Sequence, residues 1–379
     1  MSAPRILFYV QHLLGIGHIA RASRIAAALA ARGAEVTMVT GGLPVAGFPP
    51  PGVRHVALPA VQTAGEGFSG LADAEGRPVG PEFLERRRDM LLRVLRESAP
   101  DVVVTEAFPF GRRQMRFELL PLLEAIAAMT PRPALCCSVR DILQAQKKPG
   151  RDAETVALLR GHYDRVLVHG DPGFARLEDT FGPAAEITDL VAYTGLVAPP
   201  APVPAADGVD VMVSAGGGAV GAGLVRAALG AAALLPELRF CVITGPNLPP
   251  AERDALRPGP NVILEAFRRD FAGLLAASRL SVSQAGYNTV CDILQAGCRA
   301  VLVPYAAGGE TEQTTRAERL MAAGRAVLLP EAGLDGAAMA AAIAAALHGP
   351  EPRKIKALLD GAGRTADILC NIARCHVNA

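Results

Sequence analysis

From its first residues the chain alternates short apolar runs with Ala-rich amphipathic stretches, and after an interruption it does so again. Residues 5–10 read as a strand, 19–32 as a helix, and 35–40 as a second strand that stops at Gly41-Gly42. Strands that are apolar almost throughout, separated by helices, are the pattern of a parallel sheet covered on both faces. Further strands are expected at 101–105, 134–139 and 165–169. Residues 197–208, Val-Ala-Pro-Pro-Ala-Pro-Val-Pro-Ala-Ala-Asp-Gly, can form neither a helix nor a central strand. Behind them the pattern restarts with a strand at 209–213, a glycine-rich turn at 216–218, a helix at 223–235 and a strand at 239–244. A chain of 379 residues also exceeds one typical core. The expected fold is therefore α/β, with two Rossmann-like doubly wound parallel-sheet domains. These are an N-terminal domain over 1–198, a Pro-rich linker over 199–208, a second domain over 209–350, and a last segment, 351–379, that is largely one amphipathic helix from 353 to 375.

Charge and cysteine usage narrow the function classes. The net charge of +1 gives no electrostatic case for a nucleic-acid partner. The seven cysteines form no C-x-x-C pair and mostly sit in apolar segments, as reduced buried thiols do in a cytoplasmic protein. The N-terminal apolar run is too short for a signal segment, and no run reaches the ~18 residues of a membrane-spanning helix. Contact with a membrane surface stays open.

Three loops carry chemistry. In the first, Gly15-Ile16-Gly17-His18-Ile19-Ala20 satisfies the form G-x-G-x-x-[GA] after a strand. A dinucleotide site also wants an acidic residue at the end of the second strand, and Val39-Thr40-Gly41-Gly42 supplies none, which weakens a dehydrogenase reading. There remains a loop at a helix N-terminus with His18 at its mouth. Such a histidine can act as general base on a hydroxyl, or simply cap the helix. In the second loop, Ser214-Ala215-Gly216-Gly217-Gly218-Ala219 stands between strand and helix, its small side chains suited to a diphosphate.

The third is the longest. Leu280-Ser281-Val282 is a short strand that stops at Gln284-Ala285-Gly286, where Gly286 permits a sharp turn. Asn288 and Thr289 are N-cap types, with Val290, Ile293 and Leu294 at helical spacing behind them. The free N–H groups of such a helix end favour an anion. Asp292 lies in the first turns, where a carboxylate can accept from ribose or sugar hydroxyls. Residues 300–304 read as a buried strand, with Glu312-Gln313 in the loop beyond its C-terminal end, where open α/β sheets bind ligands.

Together these loops resemble the two-domain glycosyltransferase fold called GT-B, and within it the UDP-sugar, inverting group that contains MurG. The resemblance covers nearly the whole chain: residues 15–18, 214–219 and, most specifically, 286–313. It implies two domains facing a central cleft, an N-terminal domain for the acceptor, a C-terminal domain for the nucleotide sugar, and a last helix packing back on the first domain. The stretch also resembles the plant and antibiotic glycosyltransferase motif, with Gln284 in place of its opening His and Glu312-Gln313 in place of its closing Asp-Gln. By the same resemblance Asp292 takes the place of a ribose-binding Glu, and Phe267 that of an aromatic near the uracil ring; Phe267 could equally be a core residue. The donor-site set implied is Gly15, Gly17, Ser214, Gly216, Gly217, Gly218, Phe267, Gln284, Gly286, Asn288, Thr289, Asp292, Glu312 and Gln313.

The implied reaction is transfer of a hexosyl group, N-acetylated or not, from a nucleotide sugar, UDP-linked by the resemblance, to an acceptor hydroxyl with inversion. Helix N-termini can stabilise the leaving diphosphate by fixed dipoles. No D-x-D sequence occurs, and neither metal nor cofactor is expected beyond the donor. His18 is the first candidate for the base. Glu106, at the ligand-facing end of a buried strand, is the second, with a structural pairing to Arg112 or Arg113 as its other reading. The acceptor is unidentified: lipid-linked, saccharide or small molecule. Arg86, Arg87, Arg88, Arg93 and Arg96 lie in a helix with Leu84, Leu91, Leu92, Val94 and Leu95. That helix reads either as a basic-apolar face on anionic lipid at the inner face of a bacterial membrane or as a solvated face with its apolar stripe in the core. Two alternatives of the same fold stay open: a UDP-N-acetylglucosamine 2-epimerase-like enzyme and a catalytically inactive nucleotide-sugar-binding protein.

Overall fold

The computed structural model describes residues 2–13, 15–45, 47–64, 70–144, 148–216, 221–245, 248–353 and 358–377. The chain divides into two compact units, Met1–Val197 with Leu358–Ala379, and Ala198–Ala357. The first unit runs β1 (Arg5–Val10), α1 (Gly17–Ala31), β2 (Glu35–Thr40), β3 (Val53–Ala57), β4 (Gln62–Ala64), β5 (Gly70–Ala72) and α2 (Pro81–Ser98). It continues with β6 (Val102–Glu106), α3 (Arg116–Ala127), β7 (Ala134–Arg140), α4 (Arg151–His162), β8 (Arg165–His169) and β9 (Val191–Tyr193). Seven strands form one sheet in the order β3-β2-β1-β6-β7-β8-β9, parallel throughout, and β4 and β5 form a small antiparallel hairpin.

Strand β1 shows why its sequence is apolar without interruption. Ile6, Phe8 and Val10 point to the face covered by Ile19, Ala22, Ile25 and Leu29 of α1. Leu7 and Tyr9 point to the opposite face and meet α2 and α3. The apolar stripe of α2, Leu91, Val94 and Leu95, is buried in that second core. The lipid-facing reading of this helix is therefore corrected: its apolar half is core, and Arg87 is wholly buried rather than on a basic surface. Among the described residues no helix is long and apolar enough to cross a membrane.

The second unit contains β10 (Val211–Ser214), α5 (Ala222–Leu234), β11 (Phe240–Ile243), α6 (Pro250–Ala255), β12 (Val262–Glu265) and α7 (Phe271–Ala277). Then follow β13 (Leu280–Ser283), α8 (Tyr287–Ala296), β14 (Arg299–Leu302), α9 (Glu312–Ala322), β15 (Val327–Leu328) and α10 (Gly336–His348). Its sheet is parallel, in the order β12-β11-β10-β13-β14-β15. The Ala-rich helices α5 and α10 pack backbone to backbone: a Cβ on Gly336 would lie 2.8 Å from Gly230. Part of the Pro-rich stretch is docked, with Ala205 N–H donating to the Gly273 carbonyl in α7 at 2.9 Å.

The last helix, α11 (Gly361–Val377), belongs to the first unit, where Ala366, Leu369, Cys370 and Ala373 join the core beneath α1. It begins later than the expected residue 353. Leu196 N–H donates to the Leu358 carbonyl at 2.7 Å and Gly361 N–H to the Leu196 carbonyl at 2.9 Å, so residues 358–360 run antiparallel to 196–197 before the helix begins. Asp360 then caps the helix by accepting from Gly363 N–H at 3.0 Å. A Cβ on Gly361 would lie 2.4 Å from the Gly195 carbonyl oxygen, which explains glycine there.

Candidate active site

In the first unit the C-terminal ends of β1, β6, β7 and β8 carry a buried polar cluster. His18, in the first turn of α1, places Nδ1 2.9 Å from Oε1 of Glu106, the last residue of β6. Arg21, one turn further along α1, donates to the same oxygen. Glu106 is 0% exposed, and its other oxygen accepts from Ser138 Oγ at 2.5 Å. Burial opposes its ionisation, but Arg21 foremost, then His18, pulls its carboxyl well below the usual carboxylate range. An ionised carboxylate only accepts, so His18 must donate from Nδ1, which leaves Nε2 as the basic atom. The His18 side chain keeps 19% of its surface exposed. Burial first, and Arg112 next, lower its pKa to about 3, so the ring is neutral at physiological pH.

The neighbourhood is cationic and firmly braced. Arg112 adopts a left-handed backbone (φ 58) and reaches back to donate from Nε to the Gln11 carbonyl at 2.7 Å. Burial, and Arg140 next, lower its pKa to about 10. Beneath the loop after β1, Arg87 forks onto both oxygens of Glu118 at 2.8 Å and also donates to Gln11 Oε1 at 2.7 Å. Tyr9 OH donates to the same Glu118. This pair is buried with its hydrogen bonds made, and it fixes the residues just before the glycine loop.

In the second unit three loops at the C-terminal edge of the sheet converge. Gly216, after β10, has φ +74, and a Cβ there would sit 3.8 Å from Gln284 Oε1 in the loop after β13. Gln313 Oε1 accepts from Ala285 N–H at 3.1 Å and from Tyr305 N–H at 3.2 Å, tying the loop after β13 to the loop after β14. Arg316 donates to the Ala285 carbonyl at 3.0 Å, lies over the Tyr287 ring and pairs with Glu312 at 2.9 Å. The first turns of α9 thus hold the loop that opens α8. Beyond β12, Phe267 stands 67% exposed beside Arg268, which is paired with Glu265 and Asp270.

Comparisons with known proteins bear on the fold that carries these residues. Residues 212–361 match the glycosyltransferase family 28 C-terminal domain. Solved structures of similar fold include the calicheamicin glycosyltransferase CalG4, 19% identical with a TM-score of 0.61 over 99% of this chain and 95% of that one. MurG of Acinetobacter baumannii is 14% identical, with a TM-score of 0.58 over 99% of this chain and all of that one. The chain has the two-domain fold of these glycosyltransferases, and the stretch 212–361 is similar to the family 28 C-terminal domain. Among curated relatives, the UDP-N-acetylglucosamine–N-acetylmuramyl-(pentapeptide) pyrophosphoryl-undecaprenol N-acetylglucosamine transferase of Rhodospirillum centenum is 32% identical over 188 residues, 46% of this chain and 48% of the relative. That of Stutzerimonas stutzeri is 40% identical over 100 residues, 26% of this chain and 28% of the relative. The chain spans about half the length, or less, of these curated relatives.

Within the family 28 domain several expectations change. The N-cap of α8 is Gly286, so Asn288 and Thr289 lie inside its first turn rather than before it. Gly286 itself has φ −64 and room for a side chain, so neither turning nor crowding requires glycine there. Asp292 is half-buried in the second turn of α8. Glu312 and Gln313 open helix α9 instead of standing in a loop. Glu312 is buried with its carboxylate on Arg316, which removes it as a sugar contact. Gln313 commits its amide oxygen to the backbone and keeps Nε2 as a donor. The exposure of Phe267 rules out its reading as core. Ser214 ends β10, half-buried, while Gly217 and Gly218 lie outside the described residues.

In the GT-B N-terminal half, Gly15 is exposed before α1, Gly17 opens that helix, and no neighbour crowds a Cβ at Gly15. Glu106 is corrected from second candidate base to partner of His18, because it is buried and ionised with its oxygens taken. Its cation is Arg21; Arg113 pairs with Glu154 instead. Sequence reasoning missed Arg21, Ser138, His169 and Arg316. The spacing of Arg21 three residues after His18 was a usable signal. Ser138 and His169 needed the strand register.

Proposed function

We propose that the protein is a metal-independent, inverting glycosyltransferase that moves a hexosyl group, of the N-acetylhexosamine type, from a UDP-sugar to an acceptor hydroxyl. The observation that carries this reading is His18 held by an ionised Glu106, with Nε2 left as the basic atom. In the reaction Nε2 takes the acceptor proton as the acceptor oxygen attacks the anomeric carbon. The bond from that carbon to the diphosphate breaks, and its electrons leave with UDP. The N-terminus of α8 is read as offering backbone N–H groups for that charge. Asp292 is read as the ribose contact, Phe267 as the stacking platform for the base, and Gln284, Asn288, Thr289 and Gln313 Nε2 as donors to diphosphate and sugar. The family 28 match over this unit supports the donor assignment. From the activity named for the curated relatives, the acceptor is read as lipid-linked, which would bring the protein to the inner face of the cell membrane.

Thermal-shift and calorimetric titration with UDP, GDP, dTDP and NAD tests the donor. A ligand that binds only the folded state raises its apparent stability, and UDP is expected to do so alone. Asp292→Ala weakens UDP binding, whereas His18→Ala spares it and lowers turnover by about 100- to 10,000-fold. Stabilisation by NAD instead of UDP, or full turnover in His18→Ala, would overturn the reading.

A further inference from the structure

Glu106 spends one oxygen on His18 and Arg21, and the chain of contacts from its other oxygen continues well past it. Ser138 Oγ donates to Oε2 at 2.5 Å, His169 Nε2 lies 2.8 Å from the same Oγ, and His169 Nδ1 lies 2.8 Å from Thr194 Oγ1. Glu106, Ser138, His169 and Thr194 are all fully buried. They come from β6, β7, β8 and the residue after β9, which are neighbours in the sheet, so the chain crosses its C-terminal edge strand by strand.

The protons in this chain follow by elimination. Glu106, ionised, can only accept, so the single hydroxyl proton of Ser138 goes to it. Ser138 Oγ then serves His169 as acceptor, and His169 carries its proton on Nε2. Burial first, and Arg21 next, push the His169 pKa down to about 3, so the ring is neutral, its Nδ1 is bare and the Thr194 hydroxyl donates to it. The charged groups acting on His169 are Arg21 of α1, Glu106 of β6 and Asp141 after β7; those acting on His18 are Arg21, Glu106 and Arg112.

We propose that Ser138, His169 and Thr194 are positioning residues that lock the rotation of the Glu106 carboxylate and, through it, hold His18 as the Nδ1–H tautomer with Nε2 open to the acceptor. The inference rests on His18 being the base. Arg21 can satisfy a carboxylate in several rotations. A hydroxyl fixed from behind by a histidine cannot, because turning Glu106 would leave buried polar groups unpaired. All three are fully buried, and each acts through Glu106. Partners of this kind, which orient a functional histidine through its other nitrogen, are worth about 10-fold or more in activity when removed at metal sites, where they are best measured.

The test uses the full chain with ring-15N histidine and long-range 1H–15N spectra at pH 7. In the wild type, His18 is expected with a protonated Nδ1 and a bare Nε2, and His169 with the reverse. Ser138→Ala is expected to move His18 to the averaged nitrogen shifts of exchanging tautomers, and Ser138→Thr, which keeps the hydroxyl, to restore the single tautomer. Thr194→Val, at the far end, is expected to move the His169 Nδ1 signal and shift His18 in the same direction; it carries the test if Ser138→Ala does not fold. Wild-type His18 signals in both variants would overturn the relay while leaving the base assignment standing. A wild-type His18 protonated on Nε2, or full turnover in His18→Ala, would overturn the base assignment itself.

Discussion

At the scale of single residues, several of the most polar side chains in this protein are among its most buried. Arg87 and Glu118 have no exposed surface, and each relies on the other together with Tyr9, Gln11 and the Gly41 and Pro59 carbonyls. Removing one partner leaves a charge stranded in an apolar core, whereas the intact pair has its hydrogen bonds made. Arg87→Ala is therefore expected to cost about 3–5 kcal/mol, read as a lower urea midpoint at unchanged slope. A loss under about 1 kcal/mol, the range of exposed pairs, would contradict this account. His18 was legible as a candidate base because a glycine loop puts it at a helix start. The role of Glu106 was not, since its partners lie at positions 18, 21 and 138 and meet only once three elements are packed.

At the scale of elements, the strands were the most legible part of the chain. Residues 5–10, 35–40 and 165–169 are strands with the expected limits, because a doubly covered parallel strand is apolar throughout and ends where polarity returns. Helix starts were less legible. Asn288 and Thr289 have the chemistry of caps, yet Gly286 takes that place because Arg316 and Gln313 hold the Ala285 carbonyl and N–H from another helix. Gln313→Ala removes the acceptor of two backbone N–H groups as well as the amide proposed to contact the donor, so it is expected to weaken UDP binding and to destabilise the second unit by about 1–3 kcal/mol. Gln313→Glu keeps an acceptor oxygen and is expected to recover most of the stability. Equal stability of both variants and the wild type would show that the two loops are held together by something else. The contact of α5 with α10 depends likewise on Gly230 and Gly336, whose missing side chains let the backbones approach.

At the scale of the whole molecule, buried neutral histidine ties stability to pH. In the unfolded chain His169 would titrate near 6.5; in the native state its pKa is about 3. The native state thus refuses a proton that the unfolded state accepts, so stability present above pH 6.5 is lost as pH falls toward 3. The slope from this one group is roughly 1.4 kcal/mol per pH unit inside that window. Glu106 adds to it in the same direction at lower pH, since its carboxyl is held below the usual range. Urea unfolding at pH 7.0, 5.5 and 4.5 is expected to show the wild type losing stability more steeply than His169→Gln. Parallel losses in the two proteins would mean that His169 is protonated in the native state.

The sequence by itself determined the α/β class, the placing of most strands, the GT-B resemblance and the loops proposed to carry the chemistry. Each of these depends on local pattern: apolar runs, glycine loops and helix spacing. Only the tertiary structure decided what the polar side chains in those neighbourhoods do. Glu106 orients His18 instead of replacing it, Glu312 braces a loop instead of holding a sugar, Phe267 is exposed rather than core, and Arg87 is buried rather than facing lipid. The physical reason is common to all of them. A buried charge takes whichever partner the packing brings within hydrogen-bond reach, and that partner is set by strand register and helix docking over tens to hundreds of residues, which no local pattern encodes.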